Sequence, residues 1–291
     1  MNVLFITHTR IGDAVMSSGL LHHLVETYPE ARFTIACGPL AAPLFEHVPR
    51  LDRIIVVRKQ PFDLHWYRLW KELRGTVWDV AIDLRRSAVT YIIPVRKRYV
   101  VGPIAPGVHH VAHLNGLLSL RSTAGPHLYL TNEHRAAARA VIPNGVPVLA
   151  LAPVAATAPK TWPAEKFSEL ARRATGVGGA YTGWRVALFG GPDDAARVVP
   201  ILAAVPQAIA VFDQPDLLTV QAAIARCSAF VGNDSGLGHL AASAGVPSLA
   251  LFGPTDPKRY GPWGGSALQA ADGTIASLRV DEVLAQLPKP L

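Results

Sequence analysis

The sequence predicts an α/β protein of two doubly wound parallel-sheet domains, each Rossmann-like, facing each other across a ligand cleft. Three observations lead there. Short β-branched runs alternate with longer helical ones along the whole chain, as in parallel strands covered by helices. At 291 residues the chain is long for one domain and comfortable for two of roughly 150. Near its midpoint Pro143-Asn144-Gly145 breaks the alternation and reads as a linker. The domains are therefore expected at residues 1–144 and 145–291.

The elements follow in order. The first strand is the apolar run at 3–7, and a helix over 13–28 begins at the Gly12-Asp13 turn. Strands at 32–36 and 53–57 carry the next β-branched runs, with a short helix at 41–46 between them. A helix at 63–74 leads to strands at 80–84 and 98–101, and an Ala-rich helix at 133–141 closes the first half. The second half opens with a strand at 148–152. Trp162-Pro163 then marks a helix entry, proline being pre-set for a first helical turn, and the helix runs over 164–175. The Gly-rich stretch 175–183 is a loop. Strands at 185–189, 209–212, 229–232 and 248–252 alternate with helices at 193–204, 217–226 and 237–244.

Half of the residues are hydrophobic, so a substantial core is available. The formal net charge of +7 is unevenly placed. Residues 1–145 hold 17 Lys and Arg against 10 Asp and Glu, whereas residues 146–291 hold 11 of each. The first half is either a solvated basic surface or the half that meets a phosphorylated lipid, an anionic glycan, a membrane surface or nucleic acid. Nucleic acid fits poorly, because the basic residues form no recognised module and have no aromatics interleaved among them. Cys37 and Cys227 stand far apart in apolar contexts, as small core residues of a reducing compartment do. No Cys/His set has metal-ligand spacing. The N-terminal apolar run is too short for a signal peptide. The longest apolar tract, 146–159, is broken by prolines and too short to span a bilayer. The expectation is a cytoplasmic protein, either free or in peripheral contact with the cytoplasmic face of an inner membrane. Neither a G-x-G-x-x-G fingerprint after the first strand nor a Walker A sequence is present, which weakens oxidoreductase and NTPase readings.

Four segments carry candidate chemistry. In Asn233-Asp234-Ser235-Gly236-Leu237-Gly238-His239 an apolar strand runs into a polar turn and then an Ala-rich helix. Asp234 and Ser235 can cap that helix, and Gly236 and Gly238 allow close approach to the backbone. Free N–H groups and the positive end of a helix dipole then converge on one spot, which suits a phosphate. His239, the one histidine of the second half, can donate to a phosphate or be structural. Arg10-Ile11-Gly12-Asp13 joins the first strand to the first helix, where Asp13 either caps the helix or projects a carboxylate into the cleft. Lys160 before Trp162-Pro163 is a surface lysine or a phosphate ligand. Asp193, after Gly190-Gly191-Pro192, either accepts both hydroxyls of a ribose or caps the next helix. Arg85 and Arg86 follow a strand and can line an acceptor site with Arg10.

These segments resemble glycosyltransferase family nine, the heptosyltransferase-like enzymes. The family writes Arg-x-Gly-Asp after its first strand, Lys before Trp-Pro, and Asp-(Thr/Ser)-Gly-x-x-His-Leu-Ala-Ala followed by Leu-Phe-Gly-Pro-Thr, as in residues 249–255 here. The chain departs from the pattern at Ala155 and Ala156, where relatives often carry hydroxyl or charged residues, and has Asp where the family tends to place Glu near Asp193. The resemblance implies the GT-B architecture, an inverting transfer without metal or cofactor, and Asp13 as catalytic base. It further implies a nucleotide-sugar donor, typically ADP-heptose, on Lys160, Asp193, Asp234, Ser235, Gly236, Leu237 and His239. The acceptor it implies is a lipopolysaccharide core or related anionic glycan on the basic first half. Two other functions stay open at this point. A nucleotide-sugar epimerase or hydrolase of the same architecture would form product without an acceptor, and a non-catalytic nucleotide-sugar-binding protein would form none.

Overall fold

In the computed structural model, which describes residues 1–120, 122–214 and 216–289, the chain divides into two compact units, Met1–Tyr129 and Leu130–Leu291. The first holds β1 (Asn2–Ile6), α1 (Ile11–Thr27), β2 (Arg32–Cys37), β3 (Leu51–Val56), α2 (Leu64–Leu73), β4 (Trp78–Asp83), β5 (Val95–Val100) and α3 (His110–Gly116). Its five strands form a parallel sheet in the order β3-β2-β1-β4-β5. β1 and β2 are apolar almost throughout because they are central, whereas the edge strand β5 carries three consecutive exposed cations, Arg96, Lys97 and Arg98, between half-buried residues. α1 is buried along most of its length, partly under the segment 122–129. Gly19 lets that segment approach, since a Cβ there would lie 2.1 Å from the Gly125 carbonyl oxygen. The His127 N–H donates to Ser18 Oγ at 2.9 Å, and the His22 and His127 rings stack at 3.9 Å.

The second unit holds α4 (Asn132–Val141), β6 (Val148–Ala152), α5 (Ala164–Thr175), β7 (Arg185–Phe189), α6 (Val199–Ala204), β8 (Ile209–Val211), α7 (Leu217–Ile224), β9 (Ala229–Asn233), α8 (Gly236–Ser243), β10 (Ser248–Phe252), α9 (Pro257–Tyr260), β11 (Ser266–Gln269) and α10 (Val280–Ala285). Its six parallel strands run in the order β11-β10-β9-β6-β7-β8. One apolar core, with Trp162, Phe167 and Leu188 at its centre, lies against β6, β7, β9 and β10. Among the described residues no helix is long and apolar enough to cross a membrane.

The division at 129/130 differs from the expected 144/145. α4 packs on α7 and so belongs to the second unit. Ile142 is fully buried, and the Arg226 guanidinium donates to its carbonyl and, at 2.6 Å, to Asn144 Oδ1. Pro143-Asn144-Gly145 is thus a turn inside the unit. The expected helix at 193–204 is also split. Pro200 cannot donate to the preceding turn, so a 3₁₀ segment (Pro192–Val198) ends there and α6 restarts at Val199.

Candidate active site

Both sheets reverse their strand order once. In the first, β1 has β2 on one side and β4 on the other. In the second, β6 lies between β7 and β9, and the six strands follow the doubly wound order 3-2-1-4-5-6 counted from β6. At such a reversal the loops leaving the two central strands part in opposite directions and open a crevice at the carboxyl edge. Each crevice receives predicted site residues.

In the first unit the β1–α1 loop brings Arg10 and Asp13, and the β4–β5 loop brings Arg85 and Arg86. The loop after β1 lies tight on the end of β2, because a Cβ on Gly38 would meet the Thr9 Cα at 2.6 Å. Arg10 is the N-cap of α1 and makes no side-chain cap, so Asp13 stands in the first turn without bonding back to the backbone. Its carboxylate has no hydrogen bond or ion pair among the described residues, which leaves it available to accept a proton. The other loop is rigid. Asp83, fully buried at the end of β4, accepts from the N–H of Arg85 (2.9 Å) and of Ser87 (2.8 Å) and from Ser87 Oγ (2.7 Å). Arg86 takes the left-handed conformation, φ +55°, at the tip. The half-buried Arg85 guanidinium lies 4.8 Å from the Trp66 ring.

His8 joins this edge and was not foreseen. Its buried Nε2 has no hydrogen-bond partner among the described residues, and its ring is 5.5 Å from that of His110. Burial lowers its pKa below the ordinary 6.5, the negative charge of Asp13 opposes the shift, and the positive charge of Arg85 adds to it. His127 is lowered likewise, first by burial and then by His22, against Glu26. Imidazoles that resist protonation when folded, and accept protons when unfolded, cost stability in acid. Their contribution is complete above about pH 6.5 and is lost as pH falls through their lowered folded values. The melting temperature is therefore expected to drop on acidification below that point, and His8→Gln with His127→Gln should flatten the slope. A thermal unfolding series across pH checks this.

In the second unit the loop after β6 carries Lys160 and the turn after β9 carries Asp234 to Leu237. Lys160 Nζ donates to Asp234 Oδ2 at 2.5 Å, with side chains 33% and 8% exposed. The loop is fixed from below. The Trp162 N–H donates to Asn233 Oδ1 at 3.0 Å, and its buried indole N–H donates to the Leu278 carbonyl at 3.1 Å. It is fixed from the side by Gly253, whose Cβ would meet the Pro159 carbonyl oxygen at 2.8 Å. Ser235 is the N-cap of α8 but makes no side-chain cap, and its buried Oγ has no hydrogen-bond partner among the described residues. The first turn of α8 at Gly236 and Leu237 thus keeps its N–H groups uncapped by a side chain, beside a lysine. Free N–H groups at the positive end of a helix are the arrangement that anions favour. His239 is buried in α8, 6% exposed, one turn further in.

Asp193 lies apart from that crevice, at the end of β7. The alternatives for this turn divide between neighbours. Asp194 caps it, accepting from the Gly191 N–H at 3.0 Å, while Asp193 stays exposed. Arg197 is a further residue the sequence did not single out. It pairs with Asp194 at 2.9 Å and reaches the Ala155 carbonyl and Thr161 Oγ1 at 3.4 Å, tying the β7 turn to the Lys160 loop. Its one legible signal was the i,i+3 spacing from Asp194.

Comparison with known proteins gives a consistent set of similarities. The family model described as glycosyltransferase family 9 (heptosyltransferase) matches residues 112–279, which span the Lys160 and Asp234–His239 segments but not Asp13. Lipooligosaccharide heptosyltransferase 2 of Haemophilus influenzae is 27% identical, over 96% of this chain and 91% of its own. The structure of a family 9 glycosyltransferase from Veillonella parvula superposes with a TM-score of 0.81 at 21% identity, covering 98% of this chain and 95% of that one. An E. coli heptosyltransferase solved with ADP-2-deoxy-2-fluoro heptose has a TM-score of 0.73 at 20% identity, covering 97% and 98%. The fold of two parallel-sheet domains is that of the GT-B enzymes.

Proposed function

The chain belongs to glycosyltransferase family 9, and from that premise we propose that it transfers heptose from ADP-heptose to the inner core of lipopolysaccharide by an inverting displacement without a metal. That it is a glycosyltransferase follows from the family; donor, acceptor and stereochemistry are the proposal. The observation that carries it is the anion site of the second unit, where Lys160 lies against Asp234 beside the uncapped start of α8. The relatives named as heptosyltransferases, one of them solved with an ADP-heptose analogue, support ADP-heptose over other donors. The basic crevice of the first unit, with Arg10, Arg85 and Arg86, supports an anionic acceptor.

In this mechanism Asp13 takes the proton of the acceptor hydroxyl as its oxygen attacks the anomeric carbon. A new C–O bond forms on the face opposite the nucleotide, and the sugar–phosphate bond breaks with its electron pair going to ADP. A carboxylate suffices as base when that bond is largely broken, because the attacking hydroxyl has then become acidic. The charge growing on the diphosphate falls on Lys160 and on the N–H groups at Ser235 to Leu237, with Ser235 Oγ able to donate. His239, buried one turn into α8, is proposed as a further donor to the diphosphate, and Asp193, exposed at the end of β7, as the acceptor of ribose hydroxyls from outside the crevice. These groups supply positive potential at fixed positions, which is what a metal would otherwise provide.

Calorimetric titration with ADP-, GDP- and UDP-sugars in the presence of EDTA tests the proposal. ADP-heptose is expected to bind with undiminished affinity under chelation. Binding of only a GDP- or UDP-sugar would discard heptose as the sugar, and loss of ADP-heptose binding on chelation would discard metal independence.

A further inference from the structure

The face around α2 carries apolar side chains that none of the described residues covers, set among cations. Phe62 is 95% exposed, Leu64 48% and Ile92 63%. Phe62 and Asp63 are both held at positive φ, +54° and +55°, a conformation that costs a bulky residue energy and here presents an aromatic ring to solvent. Along α2 the buried stripe is His65, Leu69 and Leu73, so Leu64, Tyr67, Lys71 and Arg74 form one outward row. Trp70 joins this row to the turn at 89–92: its ring stacks with Tyr67 at 5.6 Å and its N–H donates to the Ile92 carbonyl at 3.3 Å.

Four aromatics of this face, though not Phe62, have a cation near the ring. Lys71 lies 6.0 Å from the Tyr67 ring, Arg74 5.2 Å from Trp70, Arg98 4.8 Å from Tyr91 and Arg85 4.8 Å from Trp66. Two of these pairs, Tyr67 with Lys71 and Trp70 with Arg74, are i,i+4 neighbours along α2, so aromatics do interleave with the cations here, contrary to the expectation from sequence. The fold adds Arg85 on Trp66 by laying the loop after β4 beside α2. Two nearby acids are paired, Glu72 with Arg53 at 3.4 Å and Asp79 with Arg96 at 3.0 Å, while Asp63 stays exposed beside Phe62.

We propose that this face docks on an anionic lipid bilayer. Trp and Tyr favour the headgroup level, Phe62, Leu64 and Ile92 supply the apolar insertion, and Lys and Arg draw anionic headgroups. Nucleic acid would use the cations and rings but gains nothing from exposed Leu64 and Ile92, which have no π-face for a base. Arg85 belongs both to this face and to the crevice with Asp13. Docking would therefore hold a membrane-embedded acceptor at the reacting edge; that last consequence rests on the proposed function, whereas the docking does not.

The test is sedimentation of the full chain with vesicles of phosphatidylethanolamine and phosphatidylglycerol, against phosphatidylcholine alone. Binding to the anionic vesicles only is expected, weakening with salt. Lys71→Glu and Arg74→Glu should each weaken it by about fivefold or more, and Phe62→Ser should weaken it with an unchanged melting temperature. No binding to anionic vesicles, or binding that none of the three variants weakens, overturns the proposal. So does equal, variant-sensitive binding to a single-stranded oligonucleotide with none to vesicles. Transfer activity is read separately, so vesicle binding by a chain that transfers no heptose would overturn the proposed function and leave the docking face standing.

Discussion

Asp13→Asn is expected to lower kcat by about two to four orders of magnitude, the usual contribution of a positioned base, while leaving the dissociation constant for ADP-heptose unchanged. Asn preserves the size of the side chain and its place in the first turn of α1, but it cannot take a proton. The substitution breaks no hydrogen bond or ion pair among the described residues and no cap of α1, and removes only the charge that acts on His8. The loop that carries it is held independently, by Thr9 against Gly38 and by the backbone pairing of Thr7 with Ala36 at 2.8 Å. Donor affinity, in turn, is assigned to groups of the other unit. Single-turnover rates and calorimetry on the same preparation separate the two quantities. A variant that loses donor affinity in proportion to its rate, or that keeps its rate, would remove Asp13 from the role of base.

The parts of the fold that were legible are those whose burial dictates their composition. β6, β7 and β10 are fully enclosed or nearly so, read as continuous apolar runs, and begin and end where the sequence places them. Elements whose burial is partial were missed. β11, Ser-Ala-Leu-Gln on the sheet edge, has no β-branched residue and three exposed positions. α3 begins from a His109 cap, Nδ1 accepting from the Val111 N–H at 3.1 Å, which does not look like a helix start in sequence. The site divides in the same way. Lys160, Asp234 and Asp13 stand in local strand–turn–helix patterns, so spacing alone places them at a sheet's carboxyl edge. His8, the reach of Arg197 to the Lys160 loop, and the pairing of Arg85 with Trp66 depend on which loops the strand order makes neighbours. Strand order is set by long-range pairing that no local pattern encodes. The assignment of a capping role near Asp193 shows the limit at its finest: two adjacent aspartates had the same sequence context, and only backbone geometry gives the cap to Asp194.

The second large effect is expected at Lys160, and a paired substitution shows which part of it is chemistry. Lys160→Ala removes a charge-assisted hydrogen bond to the diphosphate, worth about 1.5–3 kcal/mol, or roughly a tenfold to hundredfold loss of donor affinity. It also leaves Asp234, 8% exposed, as a buried carboxylate without its 2.5 Å partner. That second consequence should lower stability by about 1–3 kcal/mol, toward the smaller figure because water reaches the one-third-exposed lysine. A lysine needed only to neutralise Asp234 would therefore also give a weak-binding variant, through a distorted turn at the start of α8. The double variant Lys160→Ala with Asp234→Asn distinguishes the cases. With no buried charge left to satisfy, its melting temperature should return close to that of the parent. Its affinity for ADP-heptose should stay low, because nothing then replaces the ammonium at the diphosphate. Recovery of affinity along with stability would mean that Lys160 serves the protein rather than the donor. The anion site would then reduce to the start of α8 and the Ser235 hydroxyl.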